Sequence, residues 1–156
     1  MCSMCDLFAR RCPALYFLNH THLRGCLFSR LTQQVPGTTV LGRGNTVGSH
    51  AVVGSQSQDK KYIPGDACHL RVGDDNDIRE HTQVHRSCGP EGCTTIGDGN
   101  LLQGSCHIGH DCAVGDGNIL SNHTLLVSRP PTVLVKDSPL TVLRDTSLLA
   151  SCVATS

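Results

Sequence analysis

Aromatic side chains make up 3% of the 156 residues, and tryptophan is absent. A wide globular core is hard to fill that way, so the interior is expected to be narrow and lined by aliphatic residues. Basic and acidic residues balance at 13 each, with a pI near 7.1. The charge footprint of a nucleic-acid partner is therefore missing. The sequence has no long unbroken apolar run, so no membrane span is expected. It also lacks the Gly-rich phosphate loop of P-loop proteins and the Gly-x-Ser-x-Gly nucleophile elbow.

Cysteine, in contrast, is plentiful, with ten residues. Cys106 and Cys112 stand six apart, at equivalent places on consecutive faces of the repeat described next, so they do not face each other. The cysteines read as free thiols of a reducing compartment, in a chain that is not secreted. Cys2, Cys5, Cys12 and Cys26, with His20 and His22, are metal-ligand types. Their spacing matches no familiar zinc site, and no metal or organic cofactor is expected.

The dominant feature is a period of six. Aliphatic residues fall at Val72, Ile78, Val84, Ile96, Leu102, Ile108, Val114, Leu120 and Leu126, and Pro90 alone interrupts the series. Ile, Leu and Val are 36 of the 156 residues, about one in four, so nine hits in ten slots is not chance. A second phase covers Val35, Leu41, Val47 and Val53. Six is neither the helical nor the strand period, and a sandwich alternates with period two. One inward aliphatic per short repeat describes a parallel β-helix, in which stacked coils bury a continuous column. Gly42, Gly48, Gly54, Gly73, Gly97, Gly109 and Gly115 follow aliphatics, at corners expected to exclude a Cβ. Asn45, Asn76, Asn100 and Asn118 are expected at turn positions with positive φ.

Three regions follow. Residues 1–34 carry no hexad and hold Arg10, Arg11, Arg24 and Arg30 against Asp6. They read as an N-terminal extension compatible with an organellar transit segment, although serine is sparse. Residues 35–127 form the β-helix. Residues 128–156 lose the hexad, gain prolines and hold no glycine, and they read as a non-repeat tail. Within the coil, the rhythm breaks at 55–71 and again at 86–95. Polar excursions from a rigid solenoid are where binding residues tend to sit.

The candidate chemistry lies at His107-Ile108-Gly109-His110-Asp111. Both histidines flank the inward Ile108 and so project outward. An imidazole oriented by a neighbouring carboxylate suits a general base near neutral pH. At this point His-x-x-His-Asp is equally a metal-ligand pattern, and a lone outward histidine is more often surface decoration.

Four blocks stand in order: Gln58-Asp59-Lys60-Lys61-Tyr62; Ile78-Arg79-Glu80 with Val84-His85-Arg86; Gly97-Asp98-Gly99-Asn100-Leu101-Leu102; and His107-Ile108-Gly109-His110-Asp111-Cys112 with Val114-Gly115. On these blocks, residues from about 40 to 126 resemble the acyl-[acyl-carrier-protein]–UDP-N-acetylglucosamine O-acyltransferases, which open lipid A synthesis. The resemblance implies an all-β fold, a left-handed parallel β-helix of hexapeptide repeats. It also implies a cytoplasmic homotrimer with active sites between subunits, or an organellar one if residues 1–34 are a mitochondrial or plastid transit segment.

The implied reaction moves a 3-hydroxyacyl chain from acyl carrier protein to the 3-hydroxyl of UDP-N-acetylglucosamine. The carrier thioester is the donor, with no cofactor. The resemblance makes His110 the general base and Asp111 its orienter. It makes Asp59 and Lys61 ligands of the nucleotide sugar, with Gln58, His85 and His107 nearby. Relative to the family, the C-terminal part is missing or divergent: Ser128-Arg129 stand where the family has Gly-His. The alternatives are an inactive truncated β-helix or non-catalytic trimer partner, and a hexapeptide sugar acetyltransferase using acetyl-CoA.

Overall fold

A computed structural model describes residues 36–127 in full and, outside them, the backbone of five short strands. All strand pairs are parallel, and the strands fall into three sheets that the chain visits in turn. The fold is all-β, a left-handed parallel β-helix. Within residues 36–127, the strands make four coils. The first is Gly37–Leu41, Thr46–Val47 and Val52–Ser55; the second is Cys68–Val72, Asp77–Ile78 and Gln83–His85. The third is Thr94–Ile96, Leu101–Leu102 and His107–Ile108; the fourth is Ala113–Val114, Ile119–Leu120 and Leu125–Leu126. Among the described residues, no helix is long and apolar enough to cross a membrane.

The hexad residues form the core. Leu41, Val47, Val53, Val72, Ile78, Val84, Ile96, Leu102, Ile108, Val114, Leu120 and Leu126 are all buried in one column. Parallel register stacks each coil's hexad residues on those of the next, as Val72 on Ile96 and Ile96 on Val114. Leu102 is fully buried in the third coil. Leu102→Ala is expected to lower unfolding free energy by roughly 2–5 kcal/mol, because neighbours locked in ladders cannot collapse into the gap. Urea denaturation of the two proteins checks this.

The corner between the first and second sheets repeats a Gly-x-x-Asn turn, and the asparagines take a role different from the expected one. None has positive φ; that slot belongs to the residue before each, Gly44, Asp75, Gly99 and Gly117. The asparagines are buried instead and form a ladder through the corner. The Oδ1 of Asn45 accepts from the backbone N and Nδ2 of Asn76, at 2.9 and 3.0 Å. Asn76 does the same for Asn100, at 2.9 Å for both bonds, and Asn100 for Asn118, at 2.8 and 3.1 Å. The corner glycine is required as expected: a Cβ on Gly73 would stand 2.0 Å from the Asp98 carboxylate and 2.8 Å from the Gly97 carbonyl.

This ladder also measures coil length. Its partners are 31, 24 and 18 residues apart in sequence. Eighteen is three hexads, so the first step carries 13 extra residues and the second carries six. Both insertions fall at the corner between the third and first sheets, where residues 56–67 and 86–93 stand in place of a turn like 109–112, and in the lengthened strands that flank it. Pro90 therefore does not occupy a damaged repeat. It sits on an excursion whose six extra residues happen to preserve the phase.

Outside residues 36–127, Leu15–Phe17, His22–Leu23 and Arg30–Leu31 pair in parallel with the first coil. Val133–Leu134 and Val142–Leu143 pair with the fourth. The register positions Leu126, Leu134 and Leu143 are 8 and 9 residues apart, so a search for hexads passes over them. The transit reading of residues 1–34 and the tail reading of 128–156 fall on residues outside the fully described region.

Candidate active site

Three consecutive turns of the same corner build the site. Asp59 lies on the first excursion, Cys88 on the second, and His110-Asp111 on the short turn 109–112 between the third and fourth coils. Neighbouring strands stand about 4.8 Å apart, so the corner of Asp59 is two rungs, about 10 Å, below that of His110. The 13 extra residues close that distance: Asp59 Oδ2 lies 3.3 Å from His110 Nε2. The six extra residues bring the Cys88 backbone N–H to Asp111 Oδ2, 3.1 Å away.

His110 and Asp111 form the oriented pair expected from the sequence. His110 Nδ1 lies 2.8 Å from Asp111 Oδ2. A carboxylate accepts, so Nδ1 carries a ring proton, and Nε2 faces the Asp59 carboxylate. Asp111 is held firmly. It turns with φ of 56°, a left-handed conformation that aspartate tolerates better than most residues. Its N–H donates to the buried Thr94 Oγ1 at 2.8 Å. Its Oδ1 is buried with no protein partner. A Cβ on Gly92 would stand 2.2 Å from that oxygen, so a glycine is needed there to leave room for the carboxylate.

Asp59 is also braced. Its Oδ1 accepts from the backbone N–H of Lys61 at 2.9 Å, and its own N–H donates to Ser57 Oγ at 3.1 Å. The Lys61 N–H, more than the nearby positive charges, holds the Asp59 carboxyl below its usual value, against an opposing effect of burial. Lys61 contributes that backbone bond while its side chain stays exposed, as does the side chain of Gln58.

His85 and His107 come together one coil apart, ring centroids 4.8 Å and planes tilted by 47°. His85 is buried, with Nδ1 lying 2.7 Å from the Gln56 carbonyl and 3.0 Å from Ser55 Oγ. A carbonyl accepts, so His85 Nδ1 donates and its buried Nε2, which has no protein partner, is the acceptor. Burial lowers the pKa of His85, the Gln56 carbonyl opposing, and burial followed by the charge of His85 lowers that of His107.

A consequence for pH follows. The unfolded chain binds protons on these rings near pH 6.5, and the folded chain does so lower, so stability is lost as pH falls below about 6.5. His85→Asn, which keeps a donor toward Gln56, is expected to give a shallower acid branch. Thermal melts between pH 7.5 and 5 check this, and identical slopes in the two proteins would refute it.

The five described cysteines are free thiols, and Cys68, Cys106 and Cys112 are buried. Burial beside Asp111 pushes the Cys112 thiol up to about 11. The N-terminal group of Cys2, Cys5, Cys12 and Cys26 lies outside the described residues. Cys88, Thr94 and Gly92 were not singled out from the sequence as site residues. Nothing in the spacing of an excursion reveals which of its atoms lie over a neighbouring corner.

No family profile matches the chain. Among curated proteins, it is 38% identical over 92 residues to the acyl-[acyl-carrier-protein]–UDP-N-acetylglucosamine O-acyltransferase of Gloeothece citriformis, covering 59% of this chain and 33% of that one. It is 45% identical over 87 residues to the enzyme of the same name from Anaeromyxobacter, covering 55% and 34%. Among solved structures, the Arabidopsis UDP-N-acetylglucosamine acyltransferase superposes with a TM-score of 0.60 at 45% identity, over 73% of this chain and 41% of that one. LpxA of Acinetobacter baumannii gives 0.54 at 32% identity, over 72% and 48%. The chain thus spans about a third of the length of the curated relatives it matches.

Proposed function

The β-helix of this chain belongs to the acyl-[acyl-carrier-protein]–UDP-N-acetylglucosamine O-acyltransferase family, and on that premise we propose that it transfers a 3-hydroxyacyl group from acyl carrier protein to the 3-hydroxyl of UDP-N-acetylglucosamine, the first step of lipid A synthesis. The observation that carries this reading is the Asp111–His110 pair, with Nδ1 tied down at 2.8 Å and Nε2 directed at the space shared with Asp59. His110 Nε2 takes the proton of the sugar hydroxyl as its oxygen attacks the thioester carbonyl. The tetrahedral intermediate collapses, the C–S bond breaks, and the departing thiolate recovers that proton from His110. Asp111 fixes the tautomer and stabilises the imidazolium. A neighbouring sugar hydroxyl donates to the Asp59 carboxylate.

In this reading the chain acts as a homotrimer, in the cytoplasm or in an organelle if residues 1–34 direct it there. A second reading is an inactive β-helix that joins trimers of a longer relative. Purified chain is assayed with UDP-N-acetylglucosamine and either 3-hydroxyacyl carrier protein or acetyl-CoA, alongside light scattering. Product from the carrier thioester alone, made by a trimer, is expected. Product from acetyl-CoA alone would replace this reading with an acetyltransferase. No product from either donor would favour the inactive partner.

A further inference from the structure

We infer that Asp59, Cys88 and His110 form a binding site for a borderline divalent ion such as zinc. The three side chains offer one ligand atom each, a carboxylate oxygen, a thiol sulfur and Nε2, and all lie within 4.8 Å of one another. Oxygen, nitrogen and sulfur in this combination suit zinc better than magnesium or calcium. Metal–ligand bonds of about 2.0–2.1 Å at tetrahedral angles set an O···N edge of roughly 3.3 Å. The observed Asp59 Oδ2–His110 Nε2 separation is 3.3 Å.

The contacts around the cluster orient the ligand atoms. His110 Nδ1 lies against Asp111 Oδ2, which leaves Nε2 facing the Asp59 carboxylate oxygen. The carboxylate–histidine arrangement behind Nε2 is the one that orients metal-bound histidines elsewhere. Cys88 is held over the same point by its backbone bond to Asp111 Oδ2. Its sulfur needs to come to roughly 3.5 Å from the other two ligand atoms, a short movement of a thiol on an excursion.

Three protein ligands leave a fourth position open to water. An ion there occupies the lone pair that a general base would use, so metal binding and base catalysis at His110 exclude one another. The site itself rests on the geometry of the three ligands and holds an ion whether or not the chain transfers an acyl group.

Cobalt(II) titration of the full chain tests the inference. One cobalt per chain is expected, with tetrahedral d–d bands and a sulfur-to-cobalt charge-transfer band. Cys88→Ser is expected to abolish the charge-transfer band, and His110→Ala the d–d pattern. A variant with Cys2, Cys5, Cys12 and Cys26 all changed to serine is expected to keep both. Asp111→Asn is expected to weaken zinc binding by about 10–100-fold. The unmodified chain provides a second measure: zinc is expected to slow iodoacetamide labelling of Cys88 while leaving the exposed Cys93 unaffected. A charge-transfer band that survives Cys88→Ser, or a Cys88 labelling rate indifferent to zinc, would overturn the site.

Discussion

His110→Ala is expected to lower the proposed acyl transfer by about 10²–10⁴-fold, the range associated with losing a positioned general base. The loss is expected in kcat, with the KM for UDP-N-acetylglucosamine little changed, because Asp59 and the His85–His107 pair stay in place. Asp111→Asn separates orientation from proton transfer. The amide removes the charge that stabilises an imidazolium and allows the ring to adopt the other tautomer, so a large loss is expected with His110 still present. Steady-state rates with the carrier thioester, measured for all three proteins with matching circular dichroism, decide the matter. Unchanged rates in His110→Ala would remove the base from the scheme.

Asn76→Ala is expected to destabilise the chain by about 3 kcal/mol or more, a larger effect than its small side chain suggests. Asn76 Oδ1 accepts two hydrogen bonds from Asn100, and its Nδ2 donates to Asn45 Oδ1 and to the Asp74 carbonyl. Truncation leaves the two donors of the fully buried Asn100 unpaired, each costing roughly 1–3 kcal/mol. Asn76→Asp keeps the acceptor, loses the donor and buries a charge, so it is not expected to rescue the loss. Equilibrium denaturation measures both. A cost below about 1 kcal/mol for Asn76→Ala would mean that the ladder is incidental to the fold.

The coil was legible because burial in a solenoid has a fixed period. Ile96, Ile108 and Leu120 announce themselves by spacing, and the structure places all three in the column. The asparagines were legible as corner residues and wrongly read in conformation. Glycine or aspartate just before them takes the positive φ, and burial of a polar side chain leaves no periodic mark of its own. The strands Val133–Leu134 and Val142–Leu143 escaped notice because their connections are longer than a hexad requires. In the site, the bond between neighbours His110 and Asp111 could be inferred from adjacency. The approach of Asp59 to His110 could not: the two residues are 51 positions apart in number, and the path of the first excursion across two rungs decides their contact.

The two length changes at one corner separate stability from chemistry along the chain. The buried column and the asparagine ladder draw on the hexads and the Gly-x-x-Asn turns; the candidate site draws mostly on residues 56–67, 86–93 and 109–112. Shortening the first excursion to the length of an ordinary turn would leave each coil with the same neighbours above and below, while Asp59 would remain two storeys from His110. A descendant of this sequence can therefore keep its architecture and its resemblance to its relatives after losing its reactivity. Loop length, more than the percentage of identical core residues, is the quantity to compare when asking which members of such a lineage still share a chemistry.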